Sequence, residues 1–150
     1  MKPRADEGRG QRASGGHRRR RAARRQAIDI LFEADLMGRS PREILEEWRA
    51  AGRSVSDYAE QLLSGVEERR EAIDRLLEEI SEDWSVHRMP VVDRTILRVA
   101  CYELQTGVPA AVAISEAVHA ANELSTKDSG RFVNGVLGRM VRDTVDPGRP

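Results

Sequence analysis

Beyond about Arg18 the apolar residues recur three and four positions apart, and glycines or prolines break the pattern into segments of a few helical turns. Ala23, Ala27, Ile28, Leu31, Ala34 and Leu36 form one stripe that Gly38 is placed to end. Ser40-Pro41-Arg42-Glu43 has the form of a capping box with proline at the first helical position, and Ile44, Leu45 and Trp48 follow before Gly52. A longer stripe starts near Asp57 and carries Tyr58, Leu62, Leu63, Val66, Ile73, Leu76, Leu77 and Ile80. After Pro90 the run Val91, Val92, Ile96, Leu97, Val99, Ala100, Leu104 is apolar on more than one face, which predicts the most buried helix, ending before Gly107. Ile114, Ala117, Val118, Ala121 and Leu124 make a fifth stripe, and Phe132, Val133, Val136, Leu137 and Met140 a sixth. Six helices and no convincing strand, joined by short loops, predict an all-α fold of two three-helix bundles packed together.

Residues 1–17 hold Pro3, Gly8, Gly10, Gly15 and Gly16 among scattered charges and offer nothing to bury, so they read as a disordered basic tail. The pattern over 18–145 reads as one domain, with subdomains of about 18–82 and 83–145, followed by a tail at 146–150. No run approaches the roughly 20 apolar residues that span a bilayer, and no apolar segment follows the N-terminal cations. A cytoplasmic protein with no membrane partner is expected. The single cysteine, Cys101, lies among apolar helical residues and is expected to be buried.

The net charge of zero conceals an uneven distribution: residues 1–25 hold ten Lys or Arg against two acids, a net of +8, and the remainder carries −8. Arg18, Arg19, Arg20, Arg21, Arg24 and Arg25 fall within eight positions. Such a density on neighbouring helical turns repels itself unless a polyanion is present, and nucleic acid is the obvious one. A solvated or targeting tail is the plainer reading. Acidic lipid fits less well, because only Ala22 and Ala23 lie between the charges where an interfacial anchor needs large apolar groups. A helix-turn-helix would need a recognition helix with polar residues for base edges, and none stands out.

Several segments in a fixed order carry a resemblance. Val92-Asp93-Arg94-Thr95-Ile96-Leu97-Arg98 with Tyr102-Glu103-Leu104, then Val108-Pro109, Ala113-Ile114-Ser115-Glu116-Ala117-Val118, and Lys127-Asp128-Ser129-Gly130-Arg131-Phe132-Val133-Asn134-Gly135-Val136-Leu137 resemble the NusB transcription antitermination family. The arginine-rich start running into Ala27-Ile28-Asp29-Ile30-Leu31-Phe32 is similar to that family's first helix. The likeness covers about residues 18–142, with 38–88 matching only in pattern. It implies an RNA-binding factor that holds single-stranded boxA RNA of ribosomal RNA transcripts together with NusE, a small-subunit ribosomal protein. Contact with the RNA polymerase antitermination complex would be indirect.

The resemblance places RNA contacts at the arginines from Arg18 to Arg25 and at the corner Lys127, Asp128, Ser129, Arg131 and Phe132. Gly130 supplies no side chain there. Read without the family, Ser125, Thr126, Asp128 and Ser129 are N-cap candidates for a last helix whose first amides suit a phosphate, with Lys127 and Arg131 as flanking charges. Phe132 is either a stacking platform for a base or core, and Asp128 either a contact or a cap. Against NusE the resemblance marks Phe32, Leu36 and Asp93; Phe32 and Leu36 share a face and read equally as core packing, and Asp93 as an acid in a helix's first turn.

No catalytic, metal or cofactor residues are expected. His17, His87 and His119 offer no paired ligand, and neither G-x-G-x-x-G nor G-x-x-x-x-G-K-[ST] occurs. Two alternatives remain at this level. One is a scaffold or dimerisation module whose basic tail aids solubility. The other is a relative of the NusB-like accessory domain found in front of some RNA cytosine methyltransferases, whose catalytic part a chain of 150 residues would lack.

Overall fold

The structure, a computed structural model, describes residues 4–81 and 85–145, with side chains over 16–81 and 85–143. The tail expected at 146–150 and the first three residues of the N-terminal tail lie outside the described residues. Six helices follow in order: α1 (Arg4–Met37), α2 (Pro41–Ala50), α3 (Asp57–Ile80), α4 (Val91–Gln105), α5 (Ala110–Leu124) and α6 (Lys127–Val145). A single 3₁₀ turn at Val86–Arg88 precedes α4. Among the described residues there is no strand.

Local chemistry explains most boundaries. Gly38, Gly52 and Gly107 adopt φ of +65°, +84° and +94° just past α1, α2 and α4, a region that glycine enters without steric cost. Ser40 caps α2, its Oγ accepting from the Glu43 amide at 3.2 Å, and Ser56 caps α3 through the Ala59 amide at 3.2 Å. The Glu43 carboxylate turns to Arg39 Nε at 3.3 Å. α1 differs from expectation at its start. Its helical backbone already begins at Arg4, upstream of the boundary at Arg18. Extending a helix already nucleated by packing needs only one new bond per residue, so the glycines of 4–17 weaken this stretch without stopping it.

Helices α1 to α3 form one three-helix bundle and α4 to α6 the other, with α4 against α1, α3, α5 and α6. Every residue from Thr95 to Glu103 is buried, as the apolar character on more than one face of α4 predicts. α4 lies tight against α3 at Gly65, where an added Cβ would lie 2.1 Å from the Tyr102 ring. The bundles are also joined by charge. Asp35 of α1 accepts from Arg94 at 2.7 and 2.9 Å and from Arg98 at 3.1 Å, and Arg98 reaches Asp74 of α3 at 2.9 and 3.0 Å. Burial opposes the charged form of Asp35, but Arg94, Arg98 and Arg70 outweigh it and hold the carboxyl below the usual carboxylate range.

Cys101 is fully buried in α4, and burial with the nearby Asp74 charge pushes its thiol up to about 11. Labelling by a thiol reagent in native buffer is therefore expected to be negligible over hours and complete after unfolding. Rapid native labelling would contradict this placement.

Candidate nucleic-acid interface

The arginine run occupies two turns of α1, and the fold divides it. Ala23 and Ala27 face the core, and this turns Arg24, between them, inward. Arg24 is 6% exposed, and its Nε donates to both carboxylate oxygens of Glu103 on α4 at 2.9 Å. The same carboxylate accepts the Tyr58 hydroxyl at 2.6 Å. Arg21 forms a two-point pair with Glu116 on α5 at 2.9 and 3.0 Å, and His17 approaches the same acid at 3.2 Å. The Arg21 guanidinium holds the Glu116 carboxyl below its ordinary range. Arg25 lies between Asp29 at 3.2 Å and Glu123 of α5 at 3.4 Å. Arg18, Arg19 and Arg20 are exposed, with Arg20 4.7 Å from the centre of the Tyr58 ring.

The expected self-repulsion is thus relieved in part from within. Glu103, Glu116 and Glu123 neutralise three of the six arginines, and Arg24 is a buried structural residue with no side-chain route to a phosphate. Sequence reasoning missed these acids as partners. The available signal was an acid, Glu103, inside the otherwise apolar run of α4.

The second group gathers where α5 turns into α6. Thr126 caps α6, its Oγ1 accepting from the Ser129 amide at 3.1 Å and its carbonyl from the Gly130 amide at 3.1 Å. Asp128 is not the cap. It lies one residue inside the helix with its side chain 92% exposed, 3.8 Å from Arg131, which is 81% exposed. Lys127 is exposed beside them. Ser129 is buried, its hydroxyl 2.9 Å from Ser125 Oγ and donating to Asp93 Oδ2 at 3.3 Å. Gly130 is buried as well, and the Asn122 amide of α5 fills the space a Cβ would take.

Phe132 is half-buried. It packs on the core while lining a cleft of about 280 Å³ with Met89, Pro90, Asp93, Thr126, Asp128 and Ser129. Asp93 does sit in the first turn of α4, but it is buried against Ser129, and burial holds its carboxyl above the usual range. Leu36 is not core. At the end of α1 it is 63% exposed beside Met37 at 57%, and Phe32, one turn back, is half-buried outside the core cluster.

Ion pairs from Arg21 to Glu116 and from Arg25 to Glu123 join α1 to α5. Glu116 to Leu124 spans about 12 Å at the helical rise per residue. Among the described residues no group of His, Cys, Asp or Glu could hold a metal ion, and no helix is long and apolar enough to cross a membrane.

Two three-helix bundles with a cationic helix face and a capped aromatic corner define a double-bundle, all-helical class of protein. Within that class the chain belongs to the NusB family, whose profile matches residues 21–142. The transcription antitermination protein NusB of Acidothermus cellulolyticus is 46% identical over 140 residues, covering 87% of this chain and 97% of that protein. The protein of the same name from Thermobifida fusca is 46% identical over 133 residues, covering 85% and 94%. T. maritima NusB superposes with a TM-score of 0.73 at 34% identity, covering 83% of this chain and 91% of that one. A chain from the crystal structure of antitermination factors NusB and NusE in complex with double-stranded RNA gives 0.74 at 27% identity, covering 83% and 97%.

Proposed function

We propose that this protein is a transcription antitermination factor of the cytoplasm that binds boxA RNA of ribosomal RNA transcripts together with NusE. It supports processive elongation by RNA polymerase without catalysing a reaction itself. The observation that carries the reading is the likeness, over more than four fifths of the chain, to proteins named for antitermination, one of them crystallised with NusE and RNA. The unit at work is the domain 18–145. In it Arg18, Arg19 and Arg20 meet phosphates, with Arg21 and Arg25 giving up part of their acidic partners as the RNA arrives. Lys127, Asp128, Ser129, Arg131 and Phe132 form a second contact region. Phe32, Leu36 and Asp93 serve the protein partner; an exposed leucine beside a half-buried phenylalanine is the kind of apolar pair that an interface covers.

Labelled boxA-like RNA is expected to bind more tightly than scrambled RNA of the same composition, and the cognate NusE to raise that affinity; equal, feeble binding to both would favour a scaffold. RNA should then tighten the protein pair by the same factor. No complex by calorimetry at tens of micromolar would remove NusE as partner.

The salt dependence separates the cations. If Arg18, Arg19 and Arg20 each neutralise one phosphate of single-stranded RNA, they contribute a slope of about −2 in log K against log salt. Serine at all three positions is expected to flatten the slope by that amount and weaken every RNA alike, since phosphate contacts position without reading sequence. An unchanged slope would place the phosphates elsewhere.

A further inference from the structure

Two arginines on the open flank of α1 are answered by carboxylates on a different helix, α5. Arg21 gives Nε and Nη2 to the two oxygens of Glu116, and that edge of a guanidinium is the one a phosphate would take in a two-pronged contact. Arg25 is held from two sides. Its Nε meets Asp29 Oδ1 at 3.2 Å and its Nη1 meets Glu123 Oε2 at 3.4 Å. The Glu123 side chain is 58% exposed and that of Asp29 42%, so neither pair is sealed from water. Exposed pairs of this kind add little to stability, and Arg25 already has Asp29 four residues along its own helix. The fold therefore has little need of Glu123. Its effect is electrostatic: around Arg25 two carboxylates stand against one guanidinium, and an arriving phosphate meets a local excess of negative charge.

We propose that Glu123, with Asp29, is an internal competitor for phosphate, which keeps Arg25 occupied and so lowers the affinity of the arginine face for every RNA. The proposal rests on the RNA-binding reading above and adds the residues that limit it. Binding at Arg25 is an exchange. A phosphate takes the guanidinium only as the carboxylate gives it up, and the displaced Glu123 then stands beside the strand as an uncompensated charge. Phosphate contacts carry no sequence information, so the loss falls equally on all RNAs. An RNA that adds contacts elsewhere on the protein stays bound at a concentration where one held by phosphates alone does not. Glu116 is less suited to this part. Its side chain is 5% exposed, so its pair with Arg21 also fastens α1 to α5, and removing it would disturb the fold. Glu123 is the acid that can let go without that consequence.

The test is a double-mutant cycle on the full chain, with labelled oligouridine and boxA-like RNA read by fluorescence anisotropy over a range of salt. Glu123→Gln is expected to bind both RNAs about threefold tighter at low salt, with a slope of log K against log salt steeper by up to about 0.7, one phosphate more. The melting temperature should hold, since the change is isosteric and exposed. Asp29→Asn should act in the same direction. Arg25→Gln alone should cost less affinity than Arg18→Gln, because the charge of Arg25 is already engaged. In the Arg25→Gln background, Glu123→Gln should bring little or no gain. A gain that survives there undiminished overturns the proposal, because Glu123 would then repel the strand through space without holding Arg25. Wild-type affinity and slope in Glu123→Gln overturn it too, and leave the RNA reading standing. Failure of every RNA to bind the wild-type chain would sink the RNA reading and the competitor with it.

Discussion

Arg24→Ala is expected to destabilise the folded chain by about 3–5 kcal/mol, because removing one partner of a buried ion pair strands the other. Glu103 is 1% exposed, and without Arg24 its carboxylate keeps only the Tyr58 hydroxyl. That hydroxyl cannot substitute for a cation. It remains a neutral donor, since burial and the adjacent Glu103 push it up to about 12. At about 2–4 °C per kcal/mol for a chain of this size, the melting temperature should fall by roughly 6–20 °C. Arg18→Ala, at an exposed position two turns earlier, should leave it nearly unchanged. Replacing both members, as in Arg24→Met with Glu103→Leu, should recover most of the loss, since apolar substitutes for a buried pair are often neutral. Thermal unfolding followed by circular dichroism distinguishes these outcomes. An Arg24→Ala protein that melts with the wild type would mean that the arginine is held for RNA and not for the fold.

Phe132→Ala is expected to act on both RNA affinity and stability. Its ring rests on the core and also lines the cleft, so truncation should weaken RNA binding by about 1–3 kcal/mol, the loss of one stacked base. It should also destabilise the fold, by less than the about 3–5 kcal/mol of a fully buried phenylalanine, because part of the ring is already open. The slope of affinity against salt should not move, since no charge is removed. Both quantities are measured on the same variant at a temperature where it is folded. Unchanged affinity there would take Phe132 out of the site and leave the cations alone to hold the RNA.

Much of the architecture is legible in the chain itself, and the reason is locality. The glycines at 38, 52 and 107 act through their own φ angles, and Ser40 and Ser56 through amides three residues ahead, so the limits of α2, α3 and α4 need no knowledge of what lies across the fold. The periodicity of α4 likewise states its burial on several sides. The 3₁₀ turn at Val86–Arg88 gave no such signal, being too short to show a period.

The site was legible only in outline. Composition marks the arginine run, but not that Arg24 turns inward, because its partner Glu103 lies 79 residues away. Leu36 fits its helical stripe as well as Ala34 does, yet one is exposed and the other buried according to where the neighbouring helices stop. Four residues of the α5–α6 corner are equally good caps on paper, and Thr126 was selected by the geometry of the turn.

What the sequence determined alone is therefore what short-range sterics and apolar periodicity determine: six helices, the limits of α2, α3 and α4, the central place of α4 and the excess of positive charge at one terminus. The tertiary structure decided which of those charges reach solvent, which acids answer them, and that Asp93 and Phe132, 39 positions apart, share one cleft. These outcomes depend on contacts between residues distant in the chain, and the energy of a buried pair exists only once packing has excluded the water that would otherwise satisfy it.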